Sequence, residues 1–158
     1  MRTQDQASPH DVISVGVAFS TAGLYFMLGA MGYLPMPEAH APWFIAFCAG
    51  AAFLFAGLTC FVRARGGMIN EQSDMPDSAP RSLQLSYRAF AIAAAGALAI
   101  IGSWIAIGSG PRVFGLTVPF GEMQAGEMIG RAVFALGAVI VWIYLFALTV
   151  STVRKLFR

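Results

Sequence analysis

The side chains that could do chemistry are few in this 158-residue chain, and they lie far apart. His10 and His40 both fall outside the long apolar runs, so paired histidines that would hold a haem inside a bilayer are missing. Glu38 and His40 could contribute to a metal site, but two ligands of mixed type are too few for a closed site. A solvent-exposed loop histidine is the plainer interpretation, and we expect no metal ligands.

Cys48 and Cys60, the two cysteines, do not form a redox pair. They lie twelve residues apart in one apolar run, about 18 Å along a helix, and a disulfide cannot bridge that distance. Glu122 and Glu127 could flank a site, yet no nucleophile or set of metal ligands accompanies them. The sequence also has no phosphate-binding glycine loop and no nucleophile elbow. We therefore predict no catalytic residue, no cofactor and no enzymatic activity.

The elements that would carry these side chains are four long apolar runs. Hydrophobic residues make up 58% of the chain and charged residues 11%, whereas soluble domains carry about 25% charged residues. Each run is long enough to cross a hydrocarbon core about 30 Å thick as a helix. The predicted spans are 12–33, 43–62, 89–107 and 132–153. None has a charge in its middle, which argues against a proton-coupled pump built from this chain alone.

The first run could also be interpreted as a cleaved signal peptide, because Ala39, His40 and Ala41 look like a small-residue cleavage site. The run is longer than the apolar segment of about 7–15 residues that such signals carry. The leader MRTQDQASPHD is also poor in positive charge. We therefore interpret the run as a true span.

Lysines and arginines predict the orientation of the spans. If the N-terminus is cytoplasmic, eight of the ten lie inside and only Arg112 and Arg131 lie outside, which is the positive-inside pattern. We predict an all-α membrane protein with four transmembrane helices as two antiparallel hairpins, both termini cytoplasmic. Residues 1–158 would form a single membrane domain, with a cytoplasmic linker at 63–88 and an outer loop at 108–131.

Small residues recur every four positions on the second and third spans. Such stripes let helix backbones approach closely in lipid, and we predict that the two helices meet along them. The alternative is that alanine is simply common here. The predicted helix-packing residues are Cys48, Ala52, Ala56 and Cys60 in the second span and Ala91, Ala95, Ala99 and Ser103 in the third.

Glycine also recurs in two related segments. The stretches GAAFLFAG (50–57) and GRAVFALG (130–137) share the pattern G-x-A-x-x-x-x-G. Three identities in eight, all Gly or Ala, favour chance over duplication in spans so rich in small residues.

The outer loop contains an apolar stretch, RVFGLTVPFGE (112–122), in which larger side chains alternate with others. Period-two spacing puts the larger side chains on one face of an extended segment. That face could lie along the headgroup region, or it could dock onto a partner protein outside the membrane. Further on, Glu127 and Arg131 are spaced for an ion pair at the outer start of the fourth helix. The candidate docking residues are Phe114, Leu116, Val118 and Phe120.

Two segments carry a resemblance to known proteins: the stretch 110–142 followed by VSTVRKLF, and APWFIAFCAGAAFLFAG in the first half. They resemble a family of small four-span inner-membrane proteins of proteobacteria to which no activity is assigned. The resemblance implies a bacterial inner-membrane address. The first two spans, glycine-rich around a proline-containing loop, are also similar to the small membrane subunit of tripartite tricarboxylate transporters, from which the long outer loop departs.

Two functions follow as hypotheses. The first is an accessory or scaffold subunit that packs against a larger membrane complex, and the second is a minor subunit of a tripartite-type transporter. The expected partners are the lipid bilayer and a larger membrane protein or a second copy of the chain. We expect no nucleic-acid partner, because the basic RKLFR directly after a span is typical of a topology anchor at anionic lipid.

Overall fold

The computed structural model of the protein describes residues 9–35, 42–66, 79–109 and 126–156. Four helices make up nearly all of these residues, and each is long and apolar enough to cross a membrane. The helices are α1 (Pro9–Ala30), α2 (Trp43–Arg65), α3 (Arg81–Ile107) and α4 (Gly126–Leu156). The prediction of an all-helical protein with four candidate membrane spans is confirmed.

The helices expose large apolar side chains on their outer surfaces. In α4, Leu136 is 65% and Ile143 is 66% exposed, whereas the buried Ala138 is small. Water would disfavour such a surface by about 25 cal/mol for each Å² of apolar area, but lipid tails would cover it. The exposed surface therefore fits a membrane environment.

The helices form a row in chain order. Each helix packs against the one before it and the one after it, and within the described residues α1 and α4 share no contact. Neighbours in the row run in opposite directions, because low residue numbers in one helix meet high numbers in the next. The pairs that show this are Gly16 with Gly57 and Gly23 with Gly50 (α1–α2), Phe55 with Phe90 and Ala51 and Ala52 with Ala97 (α2–α3), and Gly96 with Leu145 and Gly102 with Ala138 (α3–α4).

The helices do not begin and end where the apolar runs do. The first run continues to Tyr33, but α1 ends at Ala30 because Gly32 takes a left-handed backbone conformation with φ +82°. The amide of Tyr33 then donates to the carbonyl of Leu28 and the amide of Gly32 to that of Gly29, which satisfies carbonyls at the helix end.

The other three helices are longer than the predicted spans. α2 continues past 62 to Arg65, α3 begins at Arg81, and α4 starts at Gly126. At 31 residues α4 is about 46 Å long, more than the hydrocarbon thickness, so its charged ends can lie at the two membrane surfaces. Apolar run length marks the part of a helix in hydrocarbon and not the whole helix.

Candidate functional site

Among the described glycines, those of α1 and α2 bring two helix backbones closest together. A methyl group added at Gly23 would lie 2.6 Å from the carbonyl oxygen of Gly50 and 2.8 Å from the Cα of Leu54. A methyl group added at Gly57 would lie 2.7 Å from the carbonyl oxygen of Gly16. Real Cβ atoms do not fit at such distances, so glycine is required where these helices cross.

The four glycines share one spacing. Gly16 and Gly23 are seven residues apart in α1, and Gly50 and Gly57 are seven apart in α2. Seven residues are close to two helical turns, so each pair lies on one face of its helix. We call these four residues the glycine contact. It brings the two backbones together over about two turns.

Other side chains close around the glycine contact. The ring of Phe53 lies 5.5 Å from that of Phe19 and 6.2 Å from that of Phe26, centroid to centroid, beside the crossing. The hydroxyl oxygen of Ser20 is buried there and has no hydrogen-bond partner among the described residues. Apolar packing and close backbones therefore hold α1 to α2.

The interface between α2 and α3 is built from alanines and stacked rings. Ala51, Ala52 and Ala97 form a buried cluster, against which Met27, Cys48 and Phe55 pack. The ring of Phe55 stacks on that of Phe90 with centroids 6.0 Å apart.

The interface between α3 and α4 contains a hydrogen bond between side chains. The hydroxyl of Ser103 donates to the carbonyl oxygen of Ala99 at 2.7 Å and accepts from Nε1 of Trp142 at 3.0 Å. Ala99 has no exposed surface. A methyl group added at Gly102 would lie 3.3 Å from the Cβ of Ala138, which is tight but further away than in the glycine contact.

Four of the eight predicted helix-packing residues have contacts that place them, and these four are spread over all three interfaces. Cys48 and Ala52 lie in the α2–α3 cluster. Cys60 lies beside Gly16 of α1, and Ser103 contacts α4 through Trp142. Ala56, Ala91 and Ala95 are half-buried.

The predicted docking residues Phe114, Leu116, Val118 and Phe120 lie outside the described residues, as does Glu122. The predicted ion pair at the start of α4 is confirmed, with Nη2 of Arg131 2.9 Å from Oε1 of Glu127. Both side chains are partly exposed, so the pair contributes little stability.

No group of three histidine, cysteine or acidic side chains that could hold a metal ion occurs in the described parts of the chain. No family model, curated protein or solved structure matches the chain. The site that the structure brings together is a set of helix interfaces, and any function must be argued from them.

The glycine contact was missed at the level of sequence. Gly50 and Gly57 were noted there only as part of an internal similarity. The sequence feature that could have predicted it is the equal spacing of two glycines, seven residues apart, in each of the first two spans. A short loop joins these two spans and makes their helices neighbours.

Proposed function

We propose that the protein is a multi-pass protein of a bacterial inner membrane that serves as a non-enzymatic accessory or scaffold subunit of a larger membrane complex. In this proposal its helices form two hairpins whose N- and C-termini are cytoplasmic. The excess of arginine at the end of the row that holds Arg63, Arg81 and Arg154 supports that orientation.

The observation that carries the proposal is the one-sided attachment of α4. Within the parts of the chain that the structure describes, this helix packs on α3 alone, and the face opposite its contact residues Ala138 and Leu145 is apolar and exposed. Ile140 is 58% and Ile143 66% exposed on that face. A helix at the edge of an open row can add a further helix from another protein without displacing one of its own.

The test is co-purification at native expression. The protein carries a C-terminal tag, is extracted in a mild detergent, and its companions are identified by mass spectrometry. We expect a stoichiometric large membrane protein. Ile143→Trp, on the free face of α4, should lower the yield of that partner, whereas the matched change Val17→Trp, at an exposed position of α1, should leave it unchanged.

Recovery of the protein alone, or only with further copies of itself, would contradict the accessory role. A large permease recovered together with a periplasmic binding protein would favour the alternative, a small membrane subunit of a tripartite-type transporter. The glycine-rich α1 and α2 around a proline-containing connection are the feature that supports this alternative.

A further inference from the structure

Tyr144 of α4 places a polar group on the outer surface of the row. The residue is 58% exposed, and among the described residues its hydroxyl has no hydrogen-bond partner. Trp142, two residues earlier, differs from it, because its indole N–H donates to Ser103 of α3. Of these two aromatic donors, the described residues satisfy one and leave the other open.

The depth of Tyr144 in a membrane follows from the charges at the two ends of α4. Arg131 and Arg154 bound an apolar run, and Tyr144 is 13 residues from the first and 10 from the second. These separations are about 20 and about 15 Å along the helix, so Tyr144 lies within about 3 Å of the middle of the run. α3 indicates a similar level, since Gly96 lies beside Leu145 and is two residues from the middle of the apolar run of α3.

A lipid bilayer offers this hydroxyl no acceptor at that depth. Half of a hydrocarbon core about 30 Å thick is about 15 Å, and a tyrosine side chain is too short to carry its hydroxyl that far to headgroups or water. Lipid tails contain no hydrogen-bonding atoms, and a hydroxyl without a hydrogen bond in such a medium is strongly disfavoured. Polypeptides cross hydrocarbon as helices, so a helix of another protein can supply an acceptor there.

Tyr144 also lies where such a helix would dock. It is about 100° around α4 from Leu145 and about 120° from Ala138, the residues that contact α3. It is only about 40° from Ile140 on the free face of α4, and Ala147, three residues further on, is exposed as well. The small Ala147 allows another backbone to come close, and the ring of Tyr144 would then lie along the side of the added helix.

We propose that Tyr144 recognises the partner that docks on the free face of α4, by donating a hydrogen bond from its hydroxyl to a transmembrane helix of that partner. The partner's helix carries an oxygen acceptor at the middle of the membrane, in a hydroxyl or amide side chain. Such side chains form hydrogen bonds between membrane helices. The inference rests on the accessory role, and it adds the chemistry that the partner must present and the depth at which it must do so.

Removal of the hydroxyl alone tests the hydrogen bond. In the tagged full chain, Tyr144→Phe keeps the ring, and we expect about a threefold loss in the partner that stays bound through washing in mild detergent. The matched control Tyr33→Phe, at an exposed position after α1, should retain as much partner as the unchanged chain. Quantitative mass spectrometry measures the partner recovered per tagged chain.

A photoreactive benzophenone side chain in place of Tyr144 identifies the molecule that lies beside this position. We expect it to cross-link the partner. The same group in place of Phe146 is its control, because Phe146 is exposed at nearly the same depth but about 200° around the helix. It should give no cross-link to the partner.

The outcomes separate this inference from the accessory role. If the unchanged chain recovers a partner and Tyr144→Phe recovers as much of it, the hydroxyl is not used and the inference is wrong, while the accessory role stands. Cross-links from position 144 only to a second copy of the chain, to lipid or to a quinone would also overturn it. Recovery of no partner by the unchanged chain would remove the accessory role, and the inference with it.

Discussion

Single glycines determine how closely α1 and α2 approach each other. At Gly23 and Gly57 an added methyl group would meet backbone atoms of the other helix, which cannot move aside as the end of a flexible side chain can. Gly137 in α4 has nothing within 4 Å of the same added group. Gly23 and Gly137 both lie in apolar helices, but only Gly23 faces the backbone of a neighbouring helix. Only Gly23 therefore determines how closely two helices approach each other.

Replacing Gly23 by alanine should separate α1 from α2 and lower the free energy of unfolding by about 1–3 kcal/mol, as overpacking does. The matched change Gly137→Ala should alter it by no more than about 1 kcal/mol, since only helix propensity changes there. Reversible unfolding in mixed micelles measures both values. Equal effects of the two substitutions would show that the glycine contact is not a close one in the membrane.

Helices differ in how they are held in the row. α1 is attached through backbones in contact, whereas the contacts of α4 with α3 include Ala138 against Gly102, Leu145 beside Gly96 and a side-chain hydrogen bond. In lipid, helix association depends on such close packing and on hydrogen bonds, because apolar area alone gives no preference for protein over lipid tails. Trp142 should therefore contribute more to the association of α4 with α3 than its 46% exposed surface suggests.

Replacing Trp142 by phenylalanine keeps most of the ring and removes the indole N–H that donates to Ser103. We expect a loss of about 1 kcal/mol in the free energy of unfolding, the usual value for a hydrogen bond between membrane helices. A double-mutant cycle with Ser103→Ala isolates the contribution of the pair. Strictly additive effects would mean that the two side chains do not interact.

Length and composition were enough to predict four helices, but not which faces they present to each other. All four helices are apolar on nearly every side, so no polar stripe indicates the surface that turns outwards. Alanines at four-residue spacing drew attention to the α2–α3 pair, yet Cys60 from that stripe lies against α1 and Ser103 is bonded to α4. The end of α1 was also unpredictable from hydropathy, because a single left-handed glycine decides it.

Over the whole molecule, charge is distributed unevenly between the two ends of the row. Arginines of α2, α3 and α4 collect at one end, and the other holds the Glu127–Arg131 pair together with Trp43 and Tyr33. Positive residues remain on the cytoplasmic side during membrane insertion. The end of the row that holds Arg63, Arg81 and Arg154 is therefore expected to face the cytoplasm.

Reporter fusions test this orientation. Green fluorescent protein joined after residue 158 should fluoresce, and alkaline phosphatase at the same place should be inactive. The same phosphatase joined at residue 40, in the first outer connection, should be active and serves as the control. The reverse pattern at both places would contradict the orientation, and the end of the row that holds these arginines would then face outwards.

The glycine contact also bears on how the protein is made. It joins the first two helices of the chain, and it needs no residue of α3 or α4. Chains emerge from the ribosome N-terminus first, and membrane helices form individually before they associate. The α1–α2 pair can thus assemble in the bilayer while the remainder of the polypeptide is still being translated, and it would offer α3 a finished surface on which to dock.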